Sequence, residues 1–230
     1  MKPGYLSFSQ KRLGEFPVIK LEKGEEPQVL RDNREAWTTK LFAAIAAGDK
    51  EKIKKETQRY NHPDVKAALK QETFEKCAYC EAKVTTVAHG DIEHVSPKSL
   101  DPNQTFAWEN LTFSCQICNQ KKSTKDGILD PYSIDPSDHL FFAGPFIKGR
   151  TLEGTRTVHE LDLNRVALLE SRNREIERYA NEIEKIFVIP DHAVKKLILD
   201  SILADLESGK PEFIAACRIV VDAYRSQIAA

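Results

Sequence analysis

The 230-residue sequence lacks any apolar run that approaches the roughly 20 residues needed for a membrane-spanning helix. Its first residues, MKPGYLSFSQKRLGEF, lack the apolar segment of a secretory signal peptide. These two absences predict a cytoplasmic protein that does not associate with a membrane.

The sequence also lacks an excess of either charge, since 34 Lys and Arg residues stand against 35 Asp and Glu residues. Overall charge therefore gives no sign of a nucleic-acid partner, and any basic surface must be local. The G-x-x-x-x-G-K-[ST] pattern is absent as well, so this sequence does not provide ATP hydrolysis by a P-loop.

Cysteine is scarce, with five residues, yet four of them form two C-x-x-C pairs. The pairs are CAYC, at Cys77 and Cys80, and CQIC, at Cys115 and Cys118. Two matched pairs are typical of a closed tetrahedral zinc site that serves structure rather than catalysis. The alternatives are two unrelated buried pairs or a redox dithiol, although the thioredoxin-like βαβ setting is missing. The fifth residue, Cys217, lies on an apolar helical face and is predicted to be a core residue.

Composition divides the chain into three segments, which we expect to form one compact unit. Residues 1–75 predict an extended arm and then helices, while residues 76–127 lose helical periodicity and become rich in Gly, Pro, Asn, Thr and Cys. Residues 128–230 predict a region of turns and short strands followed by C-terminal helices. The expected fold class is α+β, predominantly α-helical.

Three further predictions concern single helices and strands. Asp32 and Asn33 are candidate caps of the first helix. Short strands are expected around residues 139–158. The helix near residues 191–207 is apolar on most sides, which predicts a central position in the core.

The stretch GDIEHVSPKS, residues 90–99, lies between the cysteine pairs and places acidic side chains beside a histidine. On a strand, Asp91 and Glu93 share one face while His94 lies on the other. If the strand ends at His94, the acid and the histidine can serve one site. An imidazole with an unperturbed pKa of about 6.5 can accept a proton from water at neutral pH.

Two asparagines follow in WENLTFSCQICNQKKS: Asn110 precedes the second cysteine pair and Asn119 directly follows it. Phosphodiester cleavage is assisted by a hard divalent cation with oxygen ligands, which Glu93 and Asn119 can supply. A cationic run suited to a nucleic-acid backbone, or to a solvated helix face, lies at Lys121, Lys122 and Lys125.

The segments DIEHVSP, WENL and CQICNQKK resemble the three parts of an HNH nuclease. That family contains a ββα-metal finger, a treble-clef-like unit often held by a four-cysteine zinc. The resemblance is closest to the HNH nuclease subunit of Septu-type and retron-associated anti-phage systems. Those proteins share CAYCE, IEHVSPKS, SCQICNQKKS, ILDPYSIDP and LDLNR, so the resemblance covers roughly residues 75–180.

The resemblance implies a role for each motif residue. Glu93 is the expected acidic metal ligand, His94 the general base and Asn119 the second metal ligand. Asn110 is expected to brace the loop or to orient the base. Many HNH enzymes carry Asp or His at the position of Glu93, so Asp91 remains an alternative ligand.

The resemblance further implies a structural Zn²⁺, a catalytic Mg²⁺ or Mn²⁺, and a nucleic-acid substrate, DNA in preference to RNA. It also implies a partner, an ABC/SMC-like ATPase subunit that controls the nuclease. The competing interpretation is a non-catalytic zinc module that binds nucleic acid or a protein.

Overall fold

The structure is a computed structural model and describes residues 20–86 and 88–228. Most of the predicted N-terminal arm lies outside these residues. The regular elements are helices α1 (Gln28–Ala46), α2 (Lys50–Thr57), α3 (Pro63–Glu72), α4 (Gln116–Lys122), α5 (Leu152–Glu160), α6 (Val166–Phe187), α7 (His192–Glu207) and α8 (Ile214–Ile228), and strands β1 (Asp91–His94), β2 (Leu111–Ser114), β3 (Leu140–Ala143) and β4 (Phe146–Gly149). Short 3-10 turns lie at Gln58–Tyr60, Pro102–Phe106, Trp108–Asn110 and Pro136–Asp138.

The first helix begins earlier than its candidate caps predict. Pro27, with φ −58° and ψ 142°, leads the chain directly into α1 at Gln28. Asp32 and Asn33 therefore lie inside the helix, and the prediction that they cap it is wrong. The Asn33 side chain instead donates to the carbonyl of Val29 at 2.9 Å, a bond within the same helix.

The two strands of the central finger pair antiparallel, with Asp91 opposite Ser114 and His94 opposite Leu111. α4 follows β2 at once, so the segment forms a ββα unit. Gly90 enters β1 with φ +65°, and a Cβ at this position would lie 2.2 Å from the ring of Phe113. Glycine is thus required where the chain turns into β1 over a buried ring.

The strands predicted around residues 139–158 are present in part. β3 and β4 form an antiparallel hairpin, but the chain is helical from Leu152 onward. The Thr151 hydroxyl accepts from the amide of Gly154 at 3.1 Å and caps α5, a signal that the strand interpretation overlooked.

The prediction that the helix near residues 191–207 is central is wrong. In α7, Leu199 and Leu206 are buried, whereas Val194 is 41% and Leu197 70% exposed. The centre is occupied by the start of α8, including Cys217 at 0% exposure, which confirms that cysteine as a core residue. An apolar helix on the outside shows that composition alone does not decide which of several helices is enclosed.

A continuous apolar core connects these parts. It extends from Leu30 in α1, through the four paired cysteines and Phe113, to Val221 in α8. The eight helices and two small sheets of the described residues confirm the α+β, predominantly helical class. Across the residues that the structure describes, no helix is both long enough and apolar enough to cross a membrane.

Candidate active site and metal centre

The four paired cysteines converge at one point. Their Sγ atoms all lie within 4.8 Å of one another. A C-x-x-C turn forms the first pair, where the amide of Ala78 donates to the carbonyl of Phe113 at 2.9 Å and ties the turn to β2. Cys115 is the N-cap of α4, and its sulfur accepts from the amide of Cys118 at 3.4 Å.

This cluster has the dimensions of a zinc site. A tetrahedral Zn²⁺ with Zn–S bonds of about 2.3 Å holds its sulfurs roughly 3.8 Å apart. The sulfurs of Cys80 and Cys115 are 3.9 Å apart. The four thiols therefore fit one zinc ion, and a set of four leaves no position for a substrate.

A cation from the C-terminal segment lies against the same sulfurs. Arg165 precedes α6, and its guanidinium nitrogens approach the sulfur of Cys118 at 3.8 Å and that of Cys115 at 3.9 Å. Arg165 is the last residue of LDLNR, a motif that sequence reasoning noted without assigning it a role. The contact joins the finger to the helices that follow it.

The β1 acids face α4. Asn119 donates through its side-chain amide to Asp91 at 2.9 Å, and this bond leaves the carboxamide oxygen as a potential metal ligand. Glu93, two residues along the strand, accepts from Lys122 at 3.2 Å. Asp91, Glu93 and Asn119 therefore lie together where the finger helix crosses the sheet.

Lys122 is buried, whereas the sequence predicted it on an exposed phosphate-binding surface. Its side chain is 0% exposed, and its ammonium also donates to the carbonyl of His94 at 2.7 Å. Burial raises the pKa of the Glu93 carboxyl, whereas the charge of Lys122 lowers it. The lysine thus offsets part of the cost of a buried carboxylate.

The other two lysines of the predicted cationic run are on the surface and pair with acids. Lys121 pairs with Asp162 at 3.1 Å, and Lys125 pairs with Glu160 at 2.8 Å.

Two buried hydroxyls near these acids are without a hydrogen-bond partner in the described part of the chain, those of Tyr79 and Ser114. Ser114 is opposite Asp91 in the strand register. Burial and then the charge of Glu93 raise the pKa of Tyr79. Buried polar atoms are normally satisfied, so these two hydroxyls are free to contact a bound polar group or ion. The carboxylate and amide oxygens of the same face fit a hard divalent cation such as Mg²⁺ or Mn²⁺.

His94 is held as a neutral base. Its Nε2 lies 3.0 Å from the carbonyl oxygen of Thr105, which can only accept. Nε2 therefore carries the hydrogen, and the lone pair is on Nδ1. The ring of Tyr60 meets the imidazole edge-on at 4.5 Å between centroids. Burial, followed by the charge of Lys98, lowers the pKa of His94 to about 4, so the side chain is neutral at pH 7.

Asn110 braces the loop that holds this histidine. Its oxygen accepts from the amide of Ser96 at 2.7 Å, and its nitrogen donates to the carbonyls of Ser96 and Gln104 at 3.0 and 3.2 Å. Gln104 directly precedes Thr105, the residue that contacts the imidazole. Asn110 thus acts on His94 through the backbone, which agrees with the bracing role expected from the motif.

Sequence reasoning missed four residues of this region: Tyr60, Tyr79, Thr105 and Lys98. Tyr60 comes from the turn after α2, and Thr105 contributes a backbone carbonyl, so neither carries a motif signal. Lys98 and Tyr79 do lie within recognised motifs, in VSPKS and between the cysteines of CAYC. The motifs therefore include both residues, but the sequence does not show which groups they contact. Those contacts depend on the packing of α4 and of the loop after β1.

Comparison with known proteins shows what this arrangement is similar to. Residues 77–125 match the HNH endonuclease family model. The chain is 36% identical over 112 residues to a Septu protein PtuB from Bacillus thuringiensis, which covers 46% of this chain and 44% of that relative. It is 26% identical over 223 residues to a Septu protein PtuB from Bacillus mycoides (strain KBAB4), which covers 79% of this chain and 74% of that relative.

The chain spans less than half of the first relative, and the 36% identity falls on the region that contains the paired cysteines and the β1 motif. This protein therefore carries an HNH endonuclease domain at residues 77–125 and is a homologue of proteins named Septu protein PtuB.

Proposed function

We propose that this protein is a metal-dependent HNH endonuclease that hydrolyses phosphodiester bonds in nucleic acid. The observation that supports it most directly is a neutral His94, oriented by the Thr105 carbonyl, next to a strand face that carries Asp91, Glu93 and Asn119. A module that only binds nucleic acid has no need for a buried, neutral and oriented imidazole that directly follows Glu93 on the strand.

In this proposal, His94 accepts the proton of the attacking water at Nδ1 as the new P–O bond forms and the bond to the leaving oxygen breaks. The Thr105 carbonyl stabilises the imidazolium that results, because it accepts from the protonated Nε2. Glu93, Asp91 and Asn119 would hold Mg²⁺ or Mn²⁺, which supplies positive charge to the phosphate and the leaving oxygen when bound. The charge of Lys122 favours the ionised form of Glu93 against the larger effect of burial, and its hydrogen bond orients the carboxylate.

The four-cysteine cluster is proposed to hold a structural Zn²⁺ that fixes the finger, residues 76–127, between the N- and C-terminal helical segments. We propose a role in anti-phage defence, with DNA as the preferred target over RNA. The similarity to proteins named Septu protein PtuB fits a defence-associated nuclease. It also supports a partner, an ABC/SMC-like ATPase subunit that controls cleavage. A complex isolated from the native operon without any ATPase would count against that partner.

The test of the proposed activity is cleavage of supercoiled plasmid, single-stranded DNA and total RNA, with and without any ATPase found to be encoded beside the gene. We expect strand breaks in Mg²⁺ or Mn²⁺ and none when the divalent cation is withheld. Intact nucleic acid in every combination, from folded and zinc-loaded protein, would reject the nuclease and favour the binding module.

Arg165 leads to a separate prediction about the zinc. Because its guanidinium offsets the negative charge of four thiolates, we expect Arg165→Ala to weaken zinc retention by about 10- to 100-fold. Zinc transfer to a chromogenic chelator measures the effect. Arg165→Lys, which keeps the charge, should release zinc at an intermediate rate.

The matched control for this prediction is Arg178→Ala. Arg178 lies on α6 and pairs with Glu175 at 2.9 Å on the helix surface, so its loss should leave zinc release unchanged. Equal release rates for Arg165→Ala and the unsubstituted protein would show that the guanidinium does not stabilise the thiolates.

A further inference from the structure

Lys98 lies at the edge of the site on an anchored turn. Its loop begins at Ser96, whose amide and carbonyl are both bonded to the Asn110 side chain. The amide of Leu100 donates to the carbonyl of Pro97 at 2.9 Å and closes the turn around Lys98. The lysine therefore projects from a backbone that is fixed on both sides.

The ammonium of Lys98 lies over the aromatic ring that packs against the proposed base. It lies 5.3 Å from the centre of the Tyr60 ring, and that ring contacts the imidazole of His94. Its charge is, after burial, the largest influence on the pKa of His94. Glu93 is in turn the carboxylate that acts most strongly on Lys98. Lys98 thus lies one ring away from the imidazole, and its charge interacts with that of Glu93.

Lys98 differs from the lysines of α4 in what it contacts. Lys121 and Lys125 hold surface carboxylates, and Lys122 is enclosed against Glu93. Within the residues that the structure describes, no carboxylate oxygen lies within 4.0 Å of the Lys98 ammonium. Its side chain is only half-buried. A partly exposed cation with no carboxylate in contact among the described residues, on the loop that follows the proposed base, is suited to an anionic ligand.

We propose that Lys98 binds a backbone phosphate of the nucleic acid next to the scissile bond. The inference rests on the proposed nuclease function and names a contact that the metal-binding and base residues do not supply. It also assigns the phosphate contact to the loop after β1 instead of the lysine run of α4.

The test measures binding of a labelled DNA duplex to the full-length, zinc-loaded protein by fluorescence anisotropy, without added divalent cation, at several NaCl concentrations. One phosphate contact contributes about 0.9 to the slope of log K against log salt for duplex DNA. We expect Lys98→Ala to reduce the slope by about this amount and to weaken binding by roughly 3- to 10-fold at moderate salt. Lys98→Arg should keep the slope.

Lys185→Ala is the matched control, because it removes one positive charge at an exposed position where Lys185 pairs with Glu182 on α6. Its slope should equal that of the unsubstituted protein. If Lys98→Ala lowers the melting temperature or zinc content, Lys98→Gln, which preserves the length of the side chain, takes its place.

The outcomes separate this inference from the proposed function. An unchanged slope and affinity in the Lys98 variant of an otherwise active nuclease would overturn the phosphate contact alone. A shifted pH profile of cleavage with an unchanged slope would also overturn it, since Lys98 would then act only on neighbouring charges. An unsubstituted protein that binds no nucleic acid would overturn both proposals.

Discussion

Replacing His94 with alanine should reduce cleavage by about 10²- to 10⁴-fold, the usual contribution of a general base, while nucleic-acid binding stays within about twofold. The physical reason is that Nδ1 of His94 is the proposed acceptor of the water proton, and its orientation is set by the Thr105 carbonyl. Single-turnover cleavage with Mg²⁺ or Mn²⁺ separates the chemical step from product release.

The control for this experiment is His89→Ala. His89 belongs to the same finger but is exposed in the loop before β1, so its replacement should leave cleavage unchanged. Because His94 is 3% exposed and packs on Tyr60, His94→Gln serves as a second variant that fills the space. Undiminished cleavage by a pure, folded His94 variant would show that another group activates the water.

The same buried histidine should make stability depend on pH. Burial and Lys98 lower the pKa of His94 to about 4, below the value of about 6.5 in an unfolded chain. The unfolded state therefore binds more protons between these values, and the free energy of unfolding falls as pH falls from about 6.5 to 4. Urea unfolding of the unsubstituted protein and His94→Gln should differ by on the order of 3 kcal/mol in this dependence.

Replacing Cys118 with serine should prevent stable folding of the finger. Zinc binding by four thiolates is worth about 10–16 kcal/mol in apparent free energy, comparable with the whole stability of a typical domain at about 5–15 kcal/mol. Without the ion, β1, β2 and α4 are too short to retain their geometry. We expect loss of bound zinc and of the cooperative thermal transition, measured by metal analysis and circular dichroism.

Cys217→Ala is the matched control for Cys118→Ser. Cys217 is the same residue type at 0% exposure, but it lies in α8 and outside the four-sulfur group. Its replacement should cost about 1–2 kcal/mol and leave the zinc content unchanged. A Cys118→Ser protein with full zinc and an unchanged melting temperature would exclude the proposed structural site.

Some features were predictable because they depend on neighbours in the sequence. The paired cysteines specify a shared site through their spacing, and the alternation of a strand separates Asp91 and Glu93 from His94. The turns at Asp130 and Asp135 are local as well, since each carboxylate accepts a hydrogen bond from the amide two residues on.

The failed predictions came from a local pattern with more than one tertiary outcome. An apolar helix can be central or peripheral, and α7 is peripheral because the start of α8 fills the core. A run of lysines can face solvent or an acid, and Lys122 faces Glu93 because the helical turn after Cys118 points it at β1. For both the helix and the lysine run, the same residue types are compatible with either position, so the sequence pattern does not distinguish them.

The sequence by itself determined which chemical groups this protein has: four thiols at zinc spacing, a histidine preceded by two acids, and two asparagines further along the chain. Only the tertiary structure decided which contacts these side chains make. It pairs Asn119 with Asp91, encloses Lys122, sets the tautomer of His94 through Thr105 and leaves Lys98 half-buried over the ring of Tyr60. The reason is that hydrogen bonds and charge pairs between distant segments depend on packing, which no local pattern encodes.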